Sequence, residues 1–191
     1  MSPARFHVLL SLVGVVAALA ATATLPNSAS AATEYEAKAN WLVGFATWTT
    51  WRAEDFPSQD APFIFGILGD NPFGKEIGLL KSKTVQKRKV EVKLFKKVED
   101  VSACHILFIS SSEKRDLAKT LKALKDRRIL TISDVDGFIQ EGGVASIVKK
   151  QYGPVVEKIE PDISKEAIES RKWEFEPPLL AAIQTLRSQK Q

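Results

Sequence analysis

Nucleophilic and metal chemistry need thiols and imidazoles at set spacings, and this chain has few of either: Cys104, His7 and His105. Cys104 and His105 are neighbours at the start of the apolar run "CHILFIS" (104–110), which reads as a strand. Neighbours on a strand point to opposite faces, so the two make a poor nucleophile–base pair. A lone cysteine beside such a run reads as a small buried hydrophobe, and it cannot form an intrachain disulfide. One imidazole among scattered carboxylates gives no metal-ligand spacing. Phosphate-cradling loops of the GxxxxGK[ST] or strand–GxGxxG kind are absent, and Asp70 lacks the acidic neighbours a divalent cation needs. The residues therefore imply no catalytic role, no metal and no cofactor; the chain reads as a binding protein, not an enzyme.

Binding chemistry has more to work with. Three loops follow apolar strands: Gly69-Asp70-Asn71, Ser110-Ser111-Ser112 and Ser133-Asp134. In open parallel sheets such strand ends form a ligand crevice, so Asp70, Asn71, Ser110, Ser111 and Ser133 either line one or merely cap the helices that follow. The stretch "NWLVGFATWTTW" (40–51) carries three of the four tryptophans. At about 100° per residue, Phe45 and Trp48 fall within about 40° of Trp41, which puts all three on a core-facing side. Trp51 falls off that side and reads as partly exposed, a candidate partner contact. Lys38 intrudes on the apolar face: it snorkels to solvent, pairs with a buried carboxylate, or lines a pocket. The stretch "KSKTVQKRKVEVKLFKK" (81–97) holds one acid, Glu91, among many Lys and Arg. It is either a solvated face or a docking surface for an acidic partner, with Lys87, Arg88 and Lys89 at its centre.

The elements that must position these groups follow from periodicity and caps. Thr33 and Glu36 make a capping box for a helix over 33–50. Apolar runs at 61–70, 104–110 and 129–133 read as buried strands, and the alternating 88–97 as a strand with one wet face or an edge strand. Asn71 and Pro72 open a second helix, and Leu117, Leu121 and Leu124 set the stripe of a third. Residues 134–143 read as a short helix or turn, and 143–161 as a strand, a tight turn near Gly153-Pro154 and a returning strand. Asp162 caps a helix, and the Pro177-Pro178 pair opens the last one. Alternating strands and helices predict a three-layer α/β fold. Its central sheet is mostly parallel, with helices on both faces and an antiparallel C-terminal edge hairpin.

The first 31 residues look like a leader. Arg5 precedes an apolar run from Val8 to Leu25, and Ala29-Ser30-Ala31 follows as an A-x-A cleavage pattern. A retained anchor is the rival reading. Cleavage after Ala31 or Ala32 leaves a single exported domain, 32–191. It removes Arg5 and no acid, so the net charge of +4 becomes +3. A balance that mild, in an exported chain, implies no nucleic acid.

The stretches "YEAKANWLVGFATWTTW", "FGILGDNPFG", "ACHILFISSSE" and "ILTISDVDGFIQEGG", with the closing helices, occur in the order seen in YfiR-like proteins. The resemblance covers residues 34–187. It implies a non-catalytic periplasmic repressor that docks on the periplasmic domain of an inner-membrane diguanylate cyclase, lowers cyclic-di-GMP and so opposes biofilm. The membrane is met only through that partner, and a homodimer is implied as well. Departures include Trp51-Arg52 where the family has Trp-Pro, and "VASIV", "VEKIEP" and "KWEFEPP" in the C-terminal third. Family members often carry more cysteines and a disulfide, which this chain cannot make. The alternative is a periplasmic small-ligand-binding module serving a sensor kinase or transporter.

Overall fold

In the computed structural model the described residues are 28–152, 154 and 156–188. Residues 1–27 of the expected leader, and Gly153 in the expected turn, lie outside them. Seven strands form one sheet in the order β2-β3-β1-β4-β5-β6-β7: β1 Phe63–Leu68, β2 Thr84–Val85, β3 Arg88–Phe95, β4 Ile106–Ile109, β5 Leu130–Ser133, β6 Ala145–Tyr152 and β7 Val156–Ile163. Strands β3, β1, β4, β5 and β6 run parallel, and β2 and β7 add antiparallel edges. The fold is thus mixed α/β with a mostly parallel sheet and the expected C-terminal hairpin. Pro161 sits within β7, opposite Ile147. An outermost strand tolerates it, because the missing N–H costs no ladder bond on the open side.

The five α-helices of the described residues are α1 Ser28–Thr47, α2 Ile77–Lys81, α3 Leu117–Ala123, α4 Lys165–Arg171 and α5 Pro177–Ser188. Alternate residues of the central strands feed two apolar clusters. Phe63, Phe65, Ile67, Ile106 and Phe108 join the larger, with residues of α1, α2, α4 and α5. Ile64, Leu68, Leu107 and Ile109 join the smaller, with Leu117 and Leu121 of α3.

Several boundaries differ from expectation, each for a local reason. α1 starts before Thr33 and stops at Thr47, because the small residues 28–32 extend the helix without strain. Asn71 does not cap a helix: its Oδ1 accepts from the Phe73 N–H in a local turn, and Gly74 at φ 51° delays α2 to Ile77. Asp162 belongs to β7, and Ser164 caps α4 instead, its Oγ accepting from the Ala167 N–H at 3.1 Å. The short strand β2 makes a two-residue hairpin with β3 whose turn residues, Gln86 and Lys87, both have positive φ. That turn matches the twist of the hairpin, but the usual Asn-Gly signal is missing, which hid it from the sequence.

Candidate functional site

The expected crevice lies where chain connections diverge: β1 leads to β3 on one side and β4 to β5 on the other. Its position is right for a ligand site, and its loops pack closely on one another at Gly69. Gly69, at φ 88°, has no room for a Cβ, which would sit 2.3 Å from Ser112 Oγ and 2.8 Å from Glu113 Oε1. Ser112 Oγ accepts from the Asp70 N–H at 2.9 Å. Ser110 caps the turn that follows it, Ser133 Oγ donates to the Ile109 carbonyl at 2.7 Å, and Asp70 pairs with Lys96 in solvent. Ser111 is exposed at the start of a 3-10 turn. Asp70, Asn71, Ser110 and Ser133 thus serve local turns and caps.

Beside that crevice, the sheet end carries a buried ionic cluster. Lys38, 3% exposed, holds its ammonium 2.6 Å from Glu34 Oε1 and 2.7 Å from Asp134 Oδ2. Tyr35 donates its hydroxyl to the same Asp134 oxygen at 3.0 Å, and Lys38 lies 4.4 Å from the Tyr35 ring centre. Lys149 of β6 reaches Glu34 Oε2 at 3.3 Å. Burial raises the Glu34 pKa, but the two lysines outweigh it and hold the carboxyl below its usual range. Burial, with the Asp134 charge beside it, pushes the Tyr35 phenol up. Glu34 and Lys38 share a face of α1 because they are four residues apart. The sequence showed the intruding lysine; its partner came from a loop 96 residues away.

Trp51 corrects an expectation. It is 5% exposed, not a surface contact. After α1 ends, the chain doubles back and pairs with the segment between α4 and α5: Thr50 N–H donates to Glu174 O at 2.9 Å and Glu176 N–H to Trp48 O at 2.8 Å. That turn swings Trp51 into the core, edge-on to Phe63 and Trp173. Of the three aromatics expected inside, Phe45 is fully buried and Trp41 and Trp48 are half-buried.

In the basic stretch, Lys87 and Lys89 are exposed, and neither forms an ion pair among the described residues. Arg88 is different. It donates to the Ser58 and Ala61 carbonyls at 3.0 and 2.7 Å and stacks 3.7 Å from the Phe56 ring centre. It therefore holds the loop before β1 and is not a free docking charge.

Cys104 and His105 are both buried. Burial pushes the thiol up to about 12, too high for a nucleophile at neutral pH. His105 Nδ1 accepts from the Ile64 N–H at 2.9 Å, so the neutral ring carries its proton on Nε2. Burial among Phe56, Phe63 and Trp51 pulls its pKa down. Among the described residues no group of three His, Cys, Asp or Glu is placed to hold a metal ion. No helix among them is long and apolar enough to cross a membrane.

The model of the YfiR/HmsC-like family matches residues 35–182, from within α1 to the middle of α5. A search of curated proteins finds no significant match.

Proposed function

As the chain belongs to the YfiR/HmsC-like family, we propose that it is a non-catalytic periplasmic regulator that binds and represses an inner-membrane diguanylate cyclase. The observation that carries this reading is the extent of the match: it takes in every strand of the sheet, all of α2, α3 and α4, and parts of α1 and α5. Family members are periplasmic regulators of such cyclases, and the leader-like first 31 residues of this chain give it the route to that compartment. Regulation needs only a difference in affinity: a protein that prefers the inactive cyclase shifts its population toward that state. The same reading takes the sheet as the middle of three layers and allows a homodimer. It takes cleavage after Ala31 or Ala32, leaving one domain.

The docking surface we assign is the β2–β3 hairpin, through Lys87 and Lys89. Two exposed ammonium groups, Lys87 in the turn and Lys89 in β3, suit an acidic partner surface and speed encounter at low salt. Lys87→Glu with Lys89→Glu reverses that charge while leaving Arg88 to hold its loop. Capture of the membrane partner from envelope extract on the immobilised mature domain should fall at least tenfold for the double variant. Wild-type capture should weaken as salt rises, because exposed charges are screened within about 8 Å at physiological ionic strength. Capture indifferent to both the variant and salt would rule this surface out, and capture of no membrane signalling protein by the wild type would count against the function itself.

A further inference from the structure

A cavity of about 520 Å³ opens at the amino ends of β1, β4 and β5, at the opposite end of the sheet from the crevice the sequence pointed to. Its size falls in the usual range for small-molecule sites. Pro57, Ala61, Pro62, Ile64, Ala103 and Ile129 make apolar walls, and Cys104 and His105 lie in its lining.

The charges around it sort into paired and unpaired. Asp55 is 4% exposed and holds Arg128 at 2.5 Å, and Glu54 holds Arg52 at 3.4 Å. That leaves Lys93, Arg127 and Glu91 as lining charges without an ion pair among the described residues, two cations against one acid. Arg127 makes one contact, donating Nη2 to the Ser102 carbonyl at 2.9 Å, so further N–H groups of its guanidinium remain free. Lys93 comes from β3 and Arg127 from the turn before β5, and both line the same cavity as Cys104. Two cations without ion pairs among the described residues thus share one cavity with apolar walls.

We infer that this cavity binds a small organic anion, a carboxylate carried on an apolar body. A charged head between Lys93 and Arg127 gains charge-assisted hydrogen bonds. An apolar body covers the walls and releases their water. Inorganic phosphate would leave those walls wet, a neutral hydrophobe would leave the two cations unused, and a cation would meet repulsion. This site stands apart from the hairpin and does not depend on the cyclase reading.

The probe is 4-phenylbutyrate, titrated into the mature domain by calorimetry and by ¹H–¹⁵N correlation spectra. Its uncharged match is 4-phenylbutan-1-ol, and its small match is acetate. The probe should bind saturably and at least tenfold more tightly than either control, with amide shifts centred on Ile64, Lys93, Cys104 and Arg127. Lys93→Ala with Arg127→Ala should lose at least tenfold for the acid and leave the alcohol unchanged. Lys93 is exposed and Arg127 half-buried, so the fold should survive, and an unchanged Tm verifies it. Lys93→Ala alone serves if the pair unfolds. Equal affinity for acid and alcohol, binding that ignores the substitutions, or no saturable binding would each overturn the assignment.

Discussion

Lys38→Met should lower the unfolding free energy by about 3–5 kcal/mol, the range for removing one partner from a buried ion pair. Methionine keeps most of the aliphatic stem, so lost packing contributes little and the measured cost reports the charge. Without the ammonium, Asp134 is left 6% exposed with Tyr35 as the donor to Oδ2. Its Oδ1 already makes no hydrogen bond within the protein. Glu34 suffers less, because Lys149 also reaches it. The carboxylate, not the lysine, should therefore be the source of the instability. Adding Asp134→Leu to Lys38→Met should recover most of the loss, since an apolar pair tolerates the site where one unpaired charge does not. Urea unfolding of the two variants and the wild type measures both effects. A single variant within about 0.5 kcal/mol of wild type, the span of ordinary surface substitutions, would mean that the cluster is solvated after all.

Trp51→Ala should cost about 3–5 kcal/mol, as for other large aromatic truncations in a core. The indole sits where three parts of the chain meet. It packs edge-on at 5.0 Å from Phe63 of β1, 5.7 Å from His105 and 5.5 Å from Trp173, between ring centres. Its Nε1–H donates to the Ala46 carbonyl at 2.8 Å, satisfying one of the acceptors left open at the end of α1. Trp51→Phe separates the two roles. It retains an aromatic ring and loses the hydrogen bond, so it should cost about 1–3 kcal/mol, the penalty for stranding a buried acceptor. Equilibrium unfolding distinguishes the variants. If alanine and phenylalanine cost the same small amount, the residue would be a surface tryptophan, as its helical angle alone suggests.

These two residues show what sequence patterning can and cannot reach. Helical arithmetic placed Lys38 on an apolar face because a regular helix carries its phase from one residue to the next. Whether it snorkels or pairs depended on Asp134, brought close only by the sheet. The same arithmetic misplaced Trp51, because α1 ends at Thr47 and the phase stops with it. The buried strands were legible from apolar runs, since parallel strands covered on both faces have no polar alternation to confuse them. The β2–β3 hairpin was not, because Gln86 and Lys87 occupy positive-φ positions without the residues that announce them. The sequence left the strand-end loops open between lining a crevice and capping, because the approach of Ser112 and Glu113 to Gly69 is a fit of side chains that spacing does not encode. The amino-end cavity escaped notice for a related reason. Its lining comes from four separate turns and strands, none of which carries a local motif.

If the chain represses a diguanylate cyclase, cellular cyclic-di-GMP must respond to its loss. Deletion should raise the nucleotide severalfold. Re-expression of the wild-type chain should restore the low level, while the chain with Lys87→Glu and Lys89→Glu, at equal abundance, should not. A nucleotide level unchanged by deletion would contradict the account.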